Sequence, residues 1–362
     1  MSGPSFQLYR YSLPLRRSLI LKQRAYRSRD GILMRLNDGR GKVGWGDCAP
    51  LPGFSLESVE EALDYLRDLG ARLVDVLSEG ETNVGEIIEK AGSVPPSARF
   101  AFSLACANLT ASSRGVTLLD FLSPQSKGIV SVSGLITGSP DTLADDISRI
   151  KSAGFGSVKL KVGRDTIKDD IERVKLVQKV LGTDCTLRLD ANRAWEFEEA
   201  SHFAHGISEC EIEYIEEPLR DPDRLSDFVG ETGLPVAIDE TVVGLAPGIL
   251  ARHKYAAAVI LKPTMLGSID EVTNLGRAAL DFGMTPVISS SFESGVGTLG
   301  LCLLAAMLGD SSVPVGLDPY GWLKHDVLRS RNPLLQSNID LRKIYRNELN
   351  IEGAWLEAIY PE

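Results

Sequence analysis

The 362-residue chain has only four histidines and five cysteines (Cys48, Cys106, Cys185, Cys210 and Cys302), widely spaced and without a CxxC pair. An odd, scattered set of this kind is not a disulfide framework, and it supplies no mixed nitrogen and sulfur ligand set for structural zinc. Reduced, buried thiols and a cytoplasmic location are the expectation. Basic charge is also in deficit: 39 Lys and Arg against 49 Asp and Glu leave a net charge of −10. That sign argues against nucleic acid or an anionic membrane as partner, while a few local cations can still hold a small-molecule anionic substrate. Long apolar runs are missing as well. The longest, near Leu299 to Leu308, is about half of the ~20 residues a membrane span needs, and the N-terminus has no signal-peptide core. No tract is repetitive, and the length suits one large domain plus a smaller one.

What is present falls into two grammars. Residues 5–12 and 29–47 read as antiparallel strands, the latter turning at Asn37-Asp38-Gly39. Between them, 13–29 is basic and without period, which predicts a mobile loop. Pro50-Leu51-Pro52-Gly53 marks a turn, Ser55 is placed to cap a helix over about 57–77, and helical patterns cover 82–92 and 97–112. From residue 128, short apolar runs (129–136, 156–162, 185–190, 212–217, 235–239, 257–261, 285–289, 313–317) alternate with amphipathic stretches (141–153, 166–181, 197–209, 222–232, 245–253, 269–282, 297–308). Parallel strands joined by crossovers follow, and eight regular units fit a closed barrel better than an open doubly wound sheet. The eighth run leads into Asp318-Pro319-Tyr320-Gly321-Trp322 rather than a helix. The expected architecture is a (β/α)7β modified TIM barrel over 126–324, an N-terminal α+β capping domain over 1–125, and a C-terminal segment, 325–362, that returns to the cap.

Chemistry in such a barrel sits at the C-terminal ends of the strands. There the sequence places Lys159 and Lys161 on the second strand, Asp190 on the third, Glu216 on the fourth, Asp239 on the fifth and Lys262 on the sixth. From Lys161 onward the steps are 29, 26, 23 and 23 residues, each one βα unit. Any single member reads equally as a helix cap or an edge-strand guard, but charges are rarely sent jointly into a barrel mouth without pairing or a metal. Three carboxylates on adjacent strands repel one another unless a cation joins them, and an all-oxygen donor set selects a hard ion, Mg2+, with Mn2+ as a substitute. A lysine desolvated beside that ion has its pKa lowered and can abstract a proton near neutral pH, while the ion stabilises an enediolate.

The Lys-x-Lys, Asp, Glu, Asp, Lys series resembles the enolase superfamily, a group known for a lysine or histidine base working with Mg2+. Within it, GWGDCAPLPGFSLES (44–58), VKLKVG (158–163), LRLDANRAW (187–195), YIEEPL (214–219), AIDET (237–241), VILKPTMLGS (259–268) and VISSSFESGVG (287–297) resemble the o-succinylbenzoate synthase family. Asp47 and Thr241 stand where that pattern carries Glu and Ser. The resemblance implies a lyase of menaquinone biosynthesis that dehydrates 2-succinyl-6-hydroxy-2,4-cyclohexadiene-1-carboxylate. It implies Lys161 as acid and base, Lys159 as its electrostatic neighbour, Lys262 as the cation on the opposite ring face, and Asp190, Glu216 and Asp239 as Mg2+ ligands. Arg188 and Asn192 would help position the substrate. N-acylamino acid racemases, dipeptide epimerases and muconate cycloisomerases share the enediolate step, so the charge ladder alone leaves those reactions open.

Gly295-Val296-Gly297-Thr298-Leu299-Gly300 is a formal GxGxxG and, by itself, suggests an NAD site. Its place in the seventh βα unit argues against that. Two readings then stay open: an anion site for the succinyl end, built from Ser290, Ser291 and the amides near Gly295, or glycines that only permit close packing. Trp195, Trp322 and Phe54 are candidates for pocket or core, with Trp322 assigned to the core.

Overall fold

The computed structural model describes residues 3–22, 24–79, 84–138, 141–309, 312–345 and 349–361. It begins with two long antiparallel strands, β1 (Ser5–Leu21) and β2 (Arg24–Asn37), paired from Ser5 opposite Asn37 to Leu21 opposite Arg24. Segment 13–29, where a mobile loop was expected, is therefore a β arm; residue 23 lies outside the described residues. Its strand signal is weak because the register breaks between Pro14 and Leu19 and Arg16 and Arg17 fall in the break, so no period of two survives. β3 (Val43–Cys48) adds to β2 through the expected turn, where Asn37 Oδ1 accepts from the Gly39 amide at 2.7 Å and Gly39 adopts a φ of 75°.

One face of this sheet, with Leu8, Ile32, Met34, Leu36 and Cys48, is buried against α1 (Val59–Glu79), α2 (Val84–Lys90) and α3 (Pro96–Ser113). Residues 82 and 83 of the expected second helix lie outside the described residues. Ser58, not Ser55, caps α1: Ser58 Oγ accepts from the Glu61 amide at 3.2 Å, and Glu61 Oε2 accepts from the Ser58 amide at 2.8 Å. That reciprocal pair satisfies two amides that the first helical turn leaves open. Ser55 Oγ instead accepts from Leu51 N, tightening the turn before it.

After α4 (Leu118–Leu122) and β4 (Ile129–Ser131), the described residues form a seven-stranded parallel sheet in sequence order. Its strands are β5 (Gly134–Ile136), β6 (Ser157–Lys161), β7 (Thr186–Asp190), β8 (Ile212–Glu216), β9 (Val236–Ile238), β10 (Ala258–Leu261) and β11 (Thr285–Ile288). The eighth run closes the ring as single parallel bridges, Val315 to Val132 and Gly316 to Ser289, rather than as a full strand. Crossovers α5 (Leu143–Ala153), α6 (Ile167–Leu181), α7 (Phe197–Gly206), α8 (Leu225–Thr232), α9 (Pro263–Leu266), α10 (Ile269–Asp281) and α11 (Gly295–Leu308) surround it. The fifth expected helix is a 3-10 segment, Pro247–His253, opened by a Pro-Gly pair that weakens α-helix formation.

Alternate strand residues divide the barrel. Val158, Leu160, Leu187, Leu189 and Ile215 belong to the apolar layer shared with the helices. Their neighbours stack inward in two levels set by register: Lys159 opposite Arg188 opposite Tyr214, then Lys161 opposite Asp190 opposite Glu216. At the C-terminal end, β12 (Asn338–Asp340) pairs with β4, and β13 (Glu357–Tyr360) pairs antiparallel with β1 as the outer strand of the first sheet. All five cysteines are free, and no helix among the described residues is long and apolar enough to cross a membrane.

Candidate active site

Lys159 reaches up from the lower inward level and joins the upper one in a closed set of ion pairs. Lys161 Nζ donates to Asp190 Oδ2 at 2.5 Å and to Asn192 Oδ1 at 2.7 Å. Lys159 Nζ donates to both oxygens of Glu216, at 3.0 and 3.2 Å, and lies 3.3 Å from Asp190 Oδ2. Lys262, just past β10, is bonded to Asp239 Oδ2. The three carboxylates are 1–2% exposed, so the structure brings all six ladder residues together at the barrel mouth.

Electrostatics differ among the three lysines. Burial lowers the Lys161 pKa, and repulsion from Lys159 adds to that against the pull of Asp190. Burial also opposes the charged form of Lys159, but Glu216, Asp190 and Asp239 outweigh it and raise that group. Lys262 is raised in the same way by Asp239. Burial pushes Glu216 up, with Asp190 and Asp239 adding to the shift against Lys159. Asp190 is pushed up by burial too, yet Lys161, Lys159 and Lys262 hold it well below the usual carboxylate range.

The donor set fits a hard divalent ion: three buried carboxylates, no thiolate or imidazole, and a Glu216 raised by burial to which repulsion from Asp190 and Asp239 adds. As they stand, each carboxylate is engaged by a lysine. Among the described residues no three such groups are gathered closely enough to close on an ion.

Residues that the ladder left out position it. Glu217, fully buried, accepts from the amides of Asp239 (2.9 Å) and Thr241 (2.8 Å) through Oε1, and from Thr241 Oγ1 (3.0 Å) and Arg193 Nε (3.0 Å) through Oε2. Thr241 thus keeps the hydroxyl that a serine would supply. Glu217 (φ 39°), Asn192 (φ 45°) and Arg193 (φ 59°) are all left-handed, the backbone bending sharply where β7 and β8 end. The only sequence signal for Glu217 was the doubled acid in YIEEPL.

Above the ladder is a cavity of about 640 Å3 lined from both domains. The barrel contributes Lys159, Lys161, Lys262, Asn192, Ser289 and Phe292, and the cap contributes Arg17, Lys22, Leu51 and Phe54. Trp322 lines this cavity, correcting its assignment to the core, whereas Trp195 is buried against Phe203. Arg188 lies one level below the carboxylates. It is 2% exposed, and its guanidinium donates to Glu213 (2.6 and 3.1 Å) and Pro314 O (2.6 Å), which makes it a floor group rather than a free substrate contact.

The loop after β11 also departs from expectation. Ser290 lines the cavity, but its hydroxyl donates to Glu293 Oε2 at 2.7 Å. Ser291 is 1% exposed and its carbonyl accepts from Arg29. The Gly295 amide donates to Asp326 Oδ1 at 2.9 Å. Ser290 Oγ and the Gly295 amide are thus already engaged, while Ser291 Oγ has no partner but is buried away from the cavity lining. The GxGxxG glycines serve packing instead: a β-carbon on Gly297 would lie 2.5 Å from Asp47 Oδ2, and one on Gly300 would lie 2.8 Å from Leu104 of α3. With Asp47 and Glu293 packed against Gly297, no space is left there for a pyrophosphate, which argues against the dinucleotide reading.

Three buried charges hold this loop. Arg29 from β2, 2% exposed, donates to Ser291 O (3.2 and 3.3 Å), Ala49 O (2.5 Å), Pro50 O (2.9 Å) and Asp30 O (3.2 Å). Asp47 from β3 accepts from Tyr11 OH (2.8 Å), Ser294 N (2.9 Å) and Ser294 Oγ (2.8 Å). Glu293 accepts from Thr264 Oγ1, Ser290 Oγ and Ser291 N, each at 2.7 Å. At the centre is Phe292, with a φ of 64°, a conformation that costs a non-glycine residue on the order of 1–3 kcal/mol.

A capped parallel barrel with lysines and carboxylates on successive strand ends defines a class. Residues 142–338 match the family described as enolase C-terminal domain-like, and residues 4–109 match "MenC, N-terminal domain". The fold agrees with the dipeptide epimerase of Enterococcus faecalis, solved with Mg and L-Leu-L-Tyr: TM-score 0.82 at 20% identity, over 98% of this chain and 100% of that one. N-succinyl Arg/Lys racemase of Bacillus cereus superposes with a TM-score of 0.81 at 21% identity, over 99% and 96%. The chain is thus an enzyme of the enolase superfamily. More particularly, it is 33% identical to the o-succinylbenzoate synthase of Citrobacter koseri over 329 residues, 90% of this chain and 93% of that protein. It belongs to the o-succinylbenzoate synthase family of lyases.

Proposed function

We propose that the protein dehydrates 2-succinyl-6-hydroxy-2,4-cyclohexadiene-1-carboxylate to 2-succinylbenzoate, a step of menaquinone (vitamin K2) biosynthesis. The observation that carries this reading is geometric: Lys161 on β6 and Lys262 past β10 line one cavity, with Asp190 and Glu216 between their strands. Neutral Lys161 takes the proton α to the substrate carboxylate, and the C–H electron pair moves into the enediolate. The adjacent C–O bond then breaks, and the same ammonium returns its proton to the departing hydroxide as water, leaving an aromatic ring. Burial, with repulsion from Lys159 added, holds Lys161 at a lowered pKa, and Lys262 is a fixed cation toward the opposite ring face. Asp190, Glu216 and Asp239 are the residues that would hold Mg2+, which when bound supplies positive charge against the substrate carboxylate. The ladder's three lysines and three carboxylates cancel, so an added divalent ion favours an anionic substrate.

The test is aromatisation followed by ultraviolet absorbance with Mg2+ and the cyclohexadiene substrate. Lys161→Ala is expected to lower the rate ~10²–10⁴-fold, and EDTA to abolish it. Undiminished turnover in Lys161→Ala sinks the mechanism. A wild-type protein inert toward this substrate but active in N-acylamino acid racemisation sinks the assignment.

A further inference from the structure

The loop after β11 is built around a conformation that glycine would adopt at no cost, yet it carries phenylalanine. Arg29 and Asp47 from the cap and Glu293 from the loop itself fix the residues on both sides of it, and Ser290 Oγ accepts from the Phe292 amide at 2.9 Å. A backbone requirement alone therefore does not explain the side chain. The ring enters the cavity and meets Trp322 edge-to-face at 5.5 Å, and Trp322 carries the Arg17 guanidinium 3.7 Å from its ring centroid. Flat groups thus line the cavity side formed by Arg17, Trp322 and Phe292, and each is braced by a neighbour.

We propose that Phe292 is a specificity-determining residue: its ring, held in place by the buried charges of Arg29, Asp47 and Glu293, sizes the cavity for a ring-borne diacid and disfavours an open-chain diacid of equal charge. This rests on the function proposed above and deepens it. An aromatic wall in a fixed orientation rewards a flat partner in edge or offset contact. Because the loop is tied down on both sides of Phe292, the wall does not retreat to fit a bulky flexible chain.

Calorimetric binding of 2-succinylbenzoate and of N-succinyl-leucine, each with Mg2+, to the wild type, Phe292→Leu and Phe292→Gly tests it. The wild type is expected to prefer 2-succinylbenzoate. Phe292→Gly should weaken that ligand ~10-fold and tighten the open-chain acid about threefold, and Phe292→Leu should fall between. A preference ratio that stays within about twofold of wild type in Phe292→Gly overturns the proposal; should that variant not fold, the same ratio in Phe292→Leu decides. Wild-type binding of 2-succinylbenzoate with an unmoved ratio removes the role of Phe292 alone. Wild type that binds neither diacid removes this proposal together with the function on which it rests.

Discussion

Replacing Asp47 by asparagine isolates a single buried charge between the two domains. The carboxylate is fully buried, and burial pushes its pKa from 3.8 up to about 6, with Glu293 adding to the rise and hydrogen bonds from Tyr11 and Ser294 opposing it. The sign follows from which state binds the proton. A carboxyl that protonates more readily folded than unfolded favours the folded state at low pH, and its contribution falls as pH rises from about 4 to about 6. At 1.36 kcal/mol per pKa unit the full loss is about 3 kcal/mol, of which about 1.3 kcal/mol is lost between pH 5 and pH 7. Asparagine does not titrate. Its amide can turn its oxygen to Ser294 and donate to Tyr11 OH, so any cost of the exchange is a constant offset. Urea unfolding of both proteins at pH 5, 6 and 7 should show the variant gaining about 1.3 kcal/mol on the wild type over that range. All other titrating groups are common to both and cancel. Parallel stability curves would refute the reasoning, because they would mean that Asp47 titrates alike in both states.

Two further outcomes follow from the site. Phe292→Gly should be more stable than Phe292→Ala by about 1 kcal/mol in thermal melts, reversing the usual order, because only glycine accepts a φ of 64° without strain; the ordinary order would show that the loop relaxes freely. Glu217→Gln should weaken Mg2+ binding ~10–100-fold while activity at saturating Mg2+ stays near wild type, since Glu217 orients the Asp239 backbone without entering the cavity; an unchanged Mg2+ half-saturation point would show Glu217 to be a structural group only.

The barrel and its ladder were legible because parallel strands buried on both faces write themselves as apolar runs, and one charge per strand end recurs at the βα spacing. Lys161, Asp190 and Glu216 were found that way, and the register sets them side by side. The arm at 13–29 was not legible, since its register break falls on Arg16 and Arg17 and its partner strand supplies the missing order. Ser291 and Gly295 read as an anion site because a polar loop before a glycine-opened helix looks like one in sequence, while the groups that engage it, Arg29 at the Ser291 carbonyl and Asp326 at the Gly295 amide, are distant in the chain. Arg29 itself had no local signature: its bonds run to carbonyls as far as 262 residues away. Glu217 was hidden beside Glu216, because adjacent strand residues differ in role only by the face they take.

The pairing of β13 with β1 joins Leu8 to Tyr360. A ribosome making this chain releases the first sheet's opening strands before the barrel and its fourth strand only after every barrel strand has emerged. The four-stranded sheet of the cap is therefore completed only after the barrel has been made, and a pairing of such sequence separation closes slowly. A chain cut short before β13 would carry every residue of the catalytic ladder and still lack the strand that finishes the sheet behind Arg29 and Asp47.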